Sequence, residues 1–170
     1  MELQKYIRDV QDFPKPGIGF KDITPLLLNN EALTTALDAF IKLVDGQKID
    51  KVVSMESRGF FFGPMIAKEI GAGFVPVRKP GKLPYETIKQ EYALEYGTDV
   101  LEMHIDAIQQ GDRVLIHDDV LATGGTAEAV VKMVEKAGGI VVQLDFLIDL
   151  TFLDGKKKLE GHTVNALIEY

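Results

Sequence analysis

The chain has 170 residues, 46% of them hydrophobic and 26% charged, with no cysteine. That length and composition suit one globular domain and exclude a disordered tail, a disulfide scaffold, thiol catalysis and Cys-ligated zinc. Nineteen Lys and Arg against 26 Asp and Glu give a net charge of −7, a poor balance for non-specific nucleic-acid binding, which depends on neutralising many phosphates. The histidines at 104, 117 and 162 have no metal-ligand spacing. No apolar run approaches the roughly 20 residues of a membrane span, and the opening MELQKYIRDV has no signal-like segment. The expectation is a soluble cytoplasmic domain that binds neither nucleic acid nor membrane.

Leu3, Tyr6, Ile7 and Val10 stand at helical spacing and predict a first helix. It stops at DFPKPGIGF, whose prolines and glycines forbid regular structure. Thr24-Pro25 reads as an N-cap followed by proline, opening a short turn through Leu28. A longer helix is predicted from Asn30, with Leu33, Leu37, Phe40, Ile41 and Val44 on its core face and Gly46 as its stop. Val52 to Met55 then reads as a buried strand, Glu56-Ser57-Arg58-Gly59 as a turn, Phe60 to Ile70 as a helix ended by Gly71, and Phe74 to Val77 as a second strand. Strand, helix and strand in so few residues make a parallel crossover unit.

Residues 79–99, KPGKLPYETIKQEYALEYGTD, interrupt the rhythm and read as a long irregular segment, the kind that usually serves as a lid. Leu101, Met103 and Ile105 alternate with polar residues as in an antiparallel strand. Val114 to His117 predicts a strand, and a helix from about Thr126 follows, with Ala127, Val130, Val131 and Val134 inward and Gly138-Gly139 as its end. Ile140 to Ile148 is a further strand. The fold class is α/β: a mostly parallel central sheet flanked by helices, in a single domain with a small N-terminal accessory region.

The chemistry concentrates in VLIHDDVLATGGT, residues 114–126. An apolar strand delivers Asp118 and Asp119 to its carboxyl end, where open parallel sheets bind ligands. Gly124 and Gly125 let backbone N–H groups turn inward, and the hydroxyls of Thr123 and Thr126 add donors at a helix N-terminus, which makes a phosphate cradle. The two acids repel phosphate and suit hydroxyl groups or a nearby cation, so cradle and acids together describe a sugar phosphate. Alone, the acids would read as a capping turn and the glycines as a tight loop. No G-x-x-x-x-G-K-[ST] stretch is present, and Gly71-Ala72-Gly73 lacks the third glycine of a dinucleotide fingerprint, since Pro76 stands there.

VLIHDDVLATGGT resembles the phosphoribosyl-pyrophosphate signature of the type I phosphoribosyltransferases. The resemblance runs through DFPKPGIGFKDITPLL, ESRGFFFGP, RKPGKLP and LEYG, in order along the chain, and narrows to the adenine-specific members. It implies transfer of the 5-phosphoribosyl group to adenine with Mg2+ present, a hood of about residues 1–30 over the base, and a mobile active-site loop at 79–99. It also implies a homodimer, with Phe60 to Phe62 among the contacts. By resemblance Ala122, Thr123, Gly124, Gly125 and Thr126 take the 5-phosphate, and Asp118 and Asp119 the ribose hydroxyls. Ser57, Arg58, Lys79 and Lys82 take pyrophosphate, with Arg78 beside them, and Arg58 counts among the catalytic groups with Glu95 and the two acids. A cation at a helix N-terminus is unfavourable as a mere cap, which favours a ligand role for Arg58. Glu95 would exchange a proton with the purine, Tyr96 would close over the ribosyl centre, and Gly19, Phe20 and Lys21 would hold the base. Mg2+ would arrive through the substrate without a firm protein ligand. Two alternatives stay open: transfer to another base, and a nucleotide-sensing regulator on the same fold.

Overall fold

The computed structural model describes residues 1–93 and 98–170. A 3-10 turn at Leu3–Tyr6 leads into strand β1 (Arg8–Val10), where the spacing predicted a helix. β1 pairs antiparallel with β2 (Phe20–Asp22), Asp9 opposite Lys21; ladder bonds across the proline loop outweigh the local helical pattern. Helix α1 (Thr24–Leu28) begins at Thr24 itself, which was expected to be its cap; Asp22, two residues back, accepts the Thr24 N–H at 2.9 Å and the Thr24 hydroxyl at 2.7 Å. Asn29 caps α2 (Asn30–Leu43) by accepting the Ala32 N–H at 2.9 Å. The face of α2 that is fully buried is Ala32, Ala36 and Phe40, with Leu33 and Leu37 only partly covered, so small residues bring the helix close to the sheet and the larger ones flank the contact.

The crossover unit is present: β3 (Lys51–Met55), a 3-10 turn at Arg58–Phe61, α3 (Gly63–Ile70) and β4 (Gly73–Val77), parallel to β3. Gly71 closes α3 in a left-handed conformation. Residues 87–104, read in part as an irregular lid, hold an antiparallel pair instead: β5 (Thr87–Ala93) and β6 (Thr98–His104). Strand β7 (Arg113–Leu121) continues well past His117, so Asp118 and Asp119 belong to the strand itself. Then come α4 (Gly125–Lys136), with all four predicted core residues buried, and β8 (Ile140–Asp149). A last strand, β9 (Val164–Glu169), pairs parallel with β8 after a crossover of two 3-10 turns.

The main sheet has the order β4-β3-β7-β8-β9, and every pairing is parallel. Its strands are buried on both faces, and alternate residues serve different cores. Val52, Leu115 and Leu147 pack with α1, α2 and α3, whereas Val53, Ile116 and Leu144 pack with α4 and the β5–β6 pair. Among the described residues no helix is long and apolar enough to cross a membrane. Phe62 is fully buried against Phe40 and Phe60 packs edge-on against Phe74, which leaves only Phe61 of that trio exposed. The expected contact set for a second copy is corrected accordingly: Phe62 belongs to the core.

Candidate active site

The carboxyl ends of β3 and β7 meet at the strand-order reversal of the sheet, and two cavities open there. One, about 80 Å3, is lined by Ala122, Thr123, Gly124, Gly125 and Thr126 together with Asp118. The other, about 400 Å3, is lined by Ser57, Arg58, Lys79, Tyr92, Asp118 and Asp119 among others, and shares Ala122 and Thr126 with the first. The predicted phosphate loop and acid pair are thus adjoining parts of one depression. Gly124 sits just ahead of α4 with φ +79°, a left-handed conformation that suits glycine. A Cβ there would lie 2.4 Å from the Gly155 carbonyl oxygen, and one on Gly155 would lie 2.2 Å from that of Ala122. The segment after β8 therefore backs the phosphate loop at backbone contact.

Asp118 and Asp119 follow one another along β7 and so point to opposite faces, yet both remain at the cavity. The Asp119 N–H donates to the Asp118 carboxylate at 2.9 Å. The Arg58 Nε lies 2.9 Å from Asp119 Oδ2, but no donor hydrogen is aimed at that oxygen. That oxygen is buried. Burial pushes the Asp118 carboxyl well above the usual range, and the charge of Asp119 pushes it further. Burial also raises Asp119, against the lowering influence of Arg58. Burial thus works against ionisation of both acids, and Asp119 is the one that faces the guanidinium.

Arg58 is the joint of the site. Its Nη1 donates to the Lys21 carbonyl at 3.3 Å, and its guanidinium carbon lies 4.5 Å from the centre of the Phe20 ring. Ser57 lines the cavity beside it, after a cis peptide at Glu56–Ser57. Gly19, Phe20 and Lys21 do not line the larger cavity; Phe20 and Lys21 reach it through Arg58. The loop cations are all engaged. Lys79 meets Asp99 at 3.0 Å, while Lys82 and Arg78 both meet Glu56, at 2.9 and 2.8 Å. Burial works against ionisation of Glu56, but hydrogen bonds from Lys82 and Arg78 outweigh it and hold its carboxyl below the usual range. The Lys79 contact does the same for Asp99. Glu95 and Tyr96 lie outside the described residues.

Three residues of the site were not anticipated from the sequence. Tyr92 lines the cavity and donates to Asp99 at 3.3 Å; its place on an alternating strand would have pointed it inward. Asp99 and Glu56 are the counter-charges of the loop lysines, and only the three-dimensional pairing identifies them. Among the described residues no group of three His, Cys, Asp or Glu side chains is placed to hold a metal ion. Three acids line the larger cavity; burial disfavours ionisation of Asp118 and Asp119, and Glu56 is taken up by Lys82 and Arg78, so the donor set fits Mg2+ only as a substrate complex whose other ligands are not protein groups.

A parallel α/β sheet with a phosphate loop, an acid pair and a cationic turn at its switch point defines a protein that handles a phosphorylated sugar. A family model, the phosphoribosyl transferase domain, matches residues 27–158. An adenine phosphoribosyltransferase of Flavobacterium johnsoniae is 62% identical over the full length of both chains. The crystal structure of the adenine phosphoribosyltransferase of Thermoanaerobacter pseudethanolicus superposes with a TM-score of 0.97 at 53% identity, covering 99% of this chain and 98% of that one. The Saccharomyces cerevisiae enzyme, solved with an imino-altritol bisphosphate and adenine, gives 0.91 at 41% identity over 96% and 94%. The chain belongs to the phosphoribosyltransferase family, in its adenine phosphoribosyltransferase branch.

Proposed function

We propose that this protein transfers the 5-phosphoribosyl group of phosphoribosyl pyrophosphate to adenine, forming AMP and pyrophosphate. The observation that carries the reading is the adjacency of the Ala122–Thr126 loop, the Asp118–Asp119 pair and Arg58 around one depression. The loop takes the 5-phosphate on converging N–H groups at the start of α4. The Asp119 carboxylate accepts one ribose hydroxyl, and Asp118 pairs with the second. The bond from the anomeric carbon to pyrophosphate breaks with its electron pair going to the leaving group, the purine N9 forms the new bond, and the N9 proton passes to a base. That base is assigned to Glu95 on the family resemblance alone.

As pyrophosphate departs, positive charge grows on the ribose and negative charge on the leaving oxygens. Asp119 and, on ionising, Asp118 face the first; Lys79 and Lys82, released from Asp99 and Glu56, face the second. Arg58 can serve pyrophosphate only by sharing its guanidinium with Asp119, while its contact with Phe20 ties it to the base. Mg2+ bound to the diphosphate supplies further charge neutralisation. Gly19, Phe20 and Lys21 present an aromatic ring and backbone groups to adenine. The 79–99 segment excludes water when it closes. The working unit is assigned as a homodimer in the cytoplasm, and a mass of two chains in analytical ultracentrifugation is the corresponding observation.

Asp118→Asn and Arg58→Ala test the assignment. Each is expected to lower kcat/KM by about 100-fold or more while the thermal unfolding transition stays cooperative. Wild-type turnover in either variant refutes the placement of the site.

A further inference from the structure

Lys21 stands in the proposed base-binding loop, but its side chain turns away from the cavity. The ammonium lies 3.5 Å from the centre of the Tyr170 ring and also pairs with Asp9, its partner residue across β1 and β2. Both ends of this contact are fixed. Tyr170 follows β9, donates its N–H to the Asp149 carbonyl at 3.0 Å, and accepts at its own carbonyl from the Thr151 N–H at 2.9 Å and the Thr151 hydroxyl at 2.6 Å. The β1–β2 ladder holds the Lys21 backbone, and the Lys21 carbonyl accepts from Arg58.

We propose that Tyr170 is a positioning residue for the base. Its π face captures the Lys21 ammonium, and that capture sets the Phe20 ring and the Lys21 carbonyl against Arg58. A cation over an aromatic face is attracted by the ring quadrupole, and the attraction needs the ring, not the hydroxyl. An aliphatic side chain at 170 removes the quadrupole, lets the Lys21 side chain swing toward solvent and loosens the loop that Arg58 touches. Tyr170 is tied to Asp149 and Thr151, in the segment that backs the phosphate loop, through its backbone alone; those bonds survive a side-chain substitution, so the effect falls on the base more than on the activated sugar.

This inference rests on the proposed transfer to adenine, and the two fail in different ways. If the unaltered protein does not turn over adenine, the function itself is wrong and Tyr170 is not reached. Given turnover, Tyr170→Leu is expected to raise KM for adenine about fivefold, with KM for phosphoribosyl pyrophosphate and kcat within about twofold. Tyr170→Phe, which keeps the ring, is expected to restore the adenine KM. Lys21→Met should raise that KM by a similar factor, and Tyr170→Leu should add nothing in its background. An unchanged adenine KM in Tyr170→Leu overturns the proposal, as does an equal rise for both substrates, or a Phe variant as impaired as the Leu variant. Should Tyr170→Leu fail to fold, a wild-type adenine KM in Lys21→Met overturns it alone.

Discussion

His117 and Asp145 face each other across β7 and β8 in full burial, and their environments push them in opposite directions. His117 packs edge-on against Phe40 and Phe62, with Nδ1 2.9 Å from the Asp145 backbone carbonyl. Burial lowers it to about 4. Asp145 is raised by burial to about 6, although Asn165 and Gln143 donate to its carboxylate. For His117 the folded value lies below the unfolded one, so its share of stability is present above pH 6.5 and is lost as the pH falls toward 4. For Asp145 the folded value lies above, so its share is present below pH 3.8 and is lost as the pH rises through 6. The slopes oppose each other across pH 4 to 6.5. Asp145→Asn removes one of them, and its stability should then rise with pH more steeply than that of the unaltered protein, by on the order of 2 kcal/mol across the window. Urea midpoints at pH 4.5 and 6.5 measure this, and parallel shifts in the two proteins would show that Asp145 is not protonated in the fold. The sequence shows only that His117 has no metal-ligand spacing; its partner Asp145, with Gln143 and Asn165, carries no motif and emerges only when β8 and β9 pair.

At the scale of elements, the phosphate loop depends on a segment far from it in sequence. The turn Gly155–Leu159 presses Gly155 against Ala122 and Gly124 with no room for a side chain. Gly155→Ala must push the loop backbone away and misalign the N–H groups proposed to bind phosphate. A rise of about tenfold in KM for phosphoribosyl pyrophosphate is expected, with the adenine KM held, and steady-state kinetics with each substrate varied in turn measures it. An unchanged KM for the activated sugar would show that the loop does not lean on this turn. The loop itself and the α3 crossover were legible because they are local: a strand, a glycine-rich turn and a helix in succession. The elements misread depend on distant partners. Arg8–Val10 follows a helical apolar spacing but becomes a strand because Phe20–Asp22 lies beside it. Thr87–Ala93, preceded by Pro80 and Pro84 and rich in polar residues, becomes one by pairing with Thr98–His104 and leaning on α4. β9 was not anticipated because its crossover consists of 3-10 turns and not a helix.

For the whole molecule the net charge of −7 says little about the ligand; the placement of the charges says more. Of the four arginines, Arg58 lines the depression and Arg78 pairs with Glu56 in its wall, so each is matched to an acid. Lys79 and Lys82 are matched in the same way. A site whose cations carry their own counter-ions can exchange them for a polyphosphate without exposing uncompensated charge before the substrate arrives. That the loop and the acid pair share one depression was readable in residues 114–126, whereas the proposed base half was carried by resemblance, because recognition through backbone groups leaves little trace in side-chain identity. The choice of base is therefore the central claim. Pyrophosphate release from phosphoribosyl pyrophosphate should be measured with adenine, hypoxanthine and guanine in parallel. Adenine is expected to drive release at least about 100-fold more efficiently than either 6-oxopurine, and equal or faster release with hypoxanthine or guanine would contradict the account.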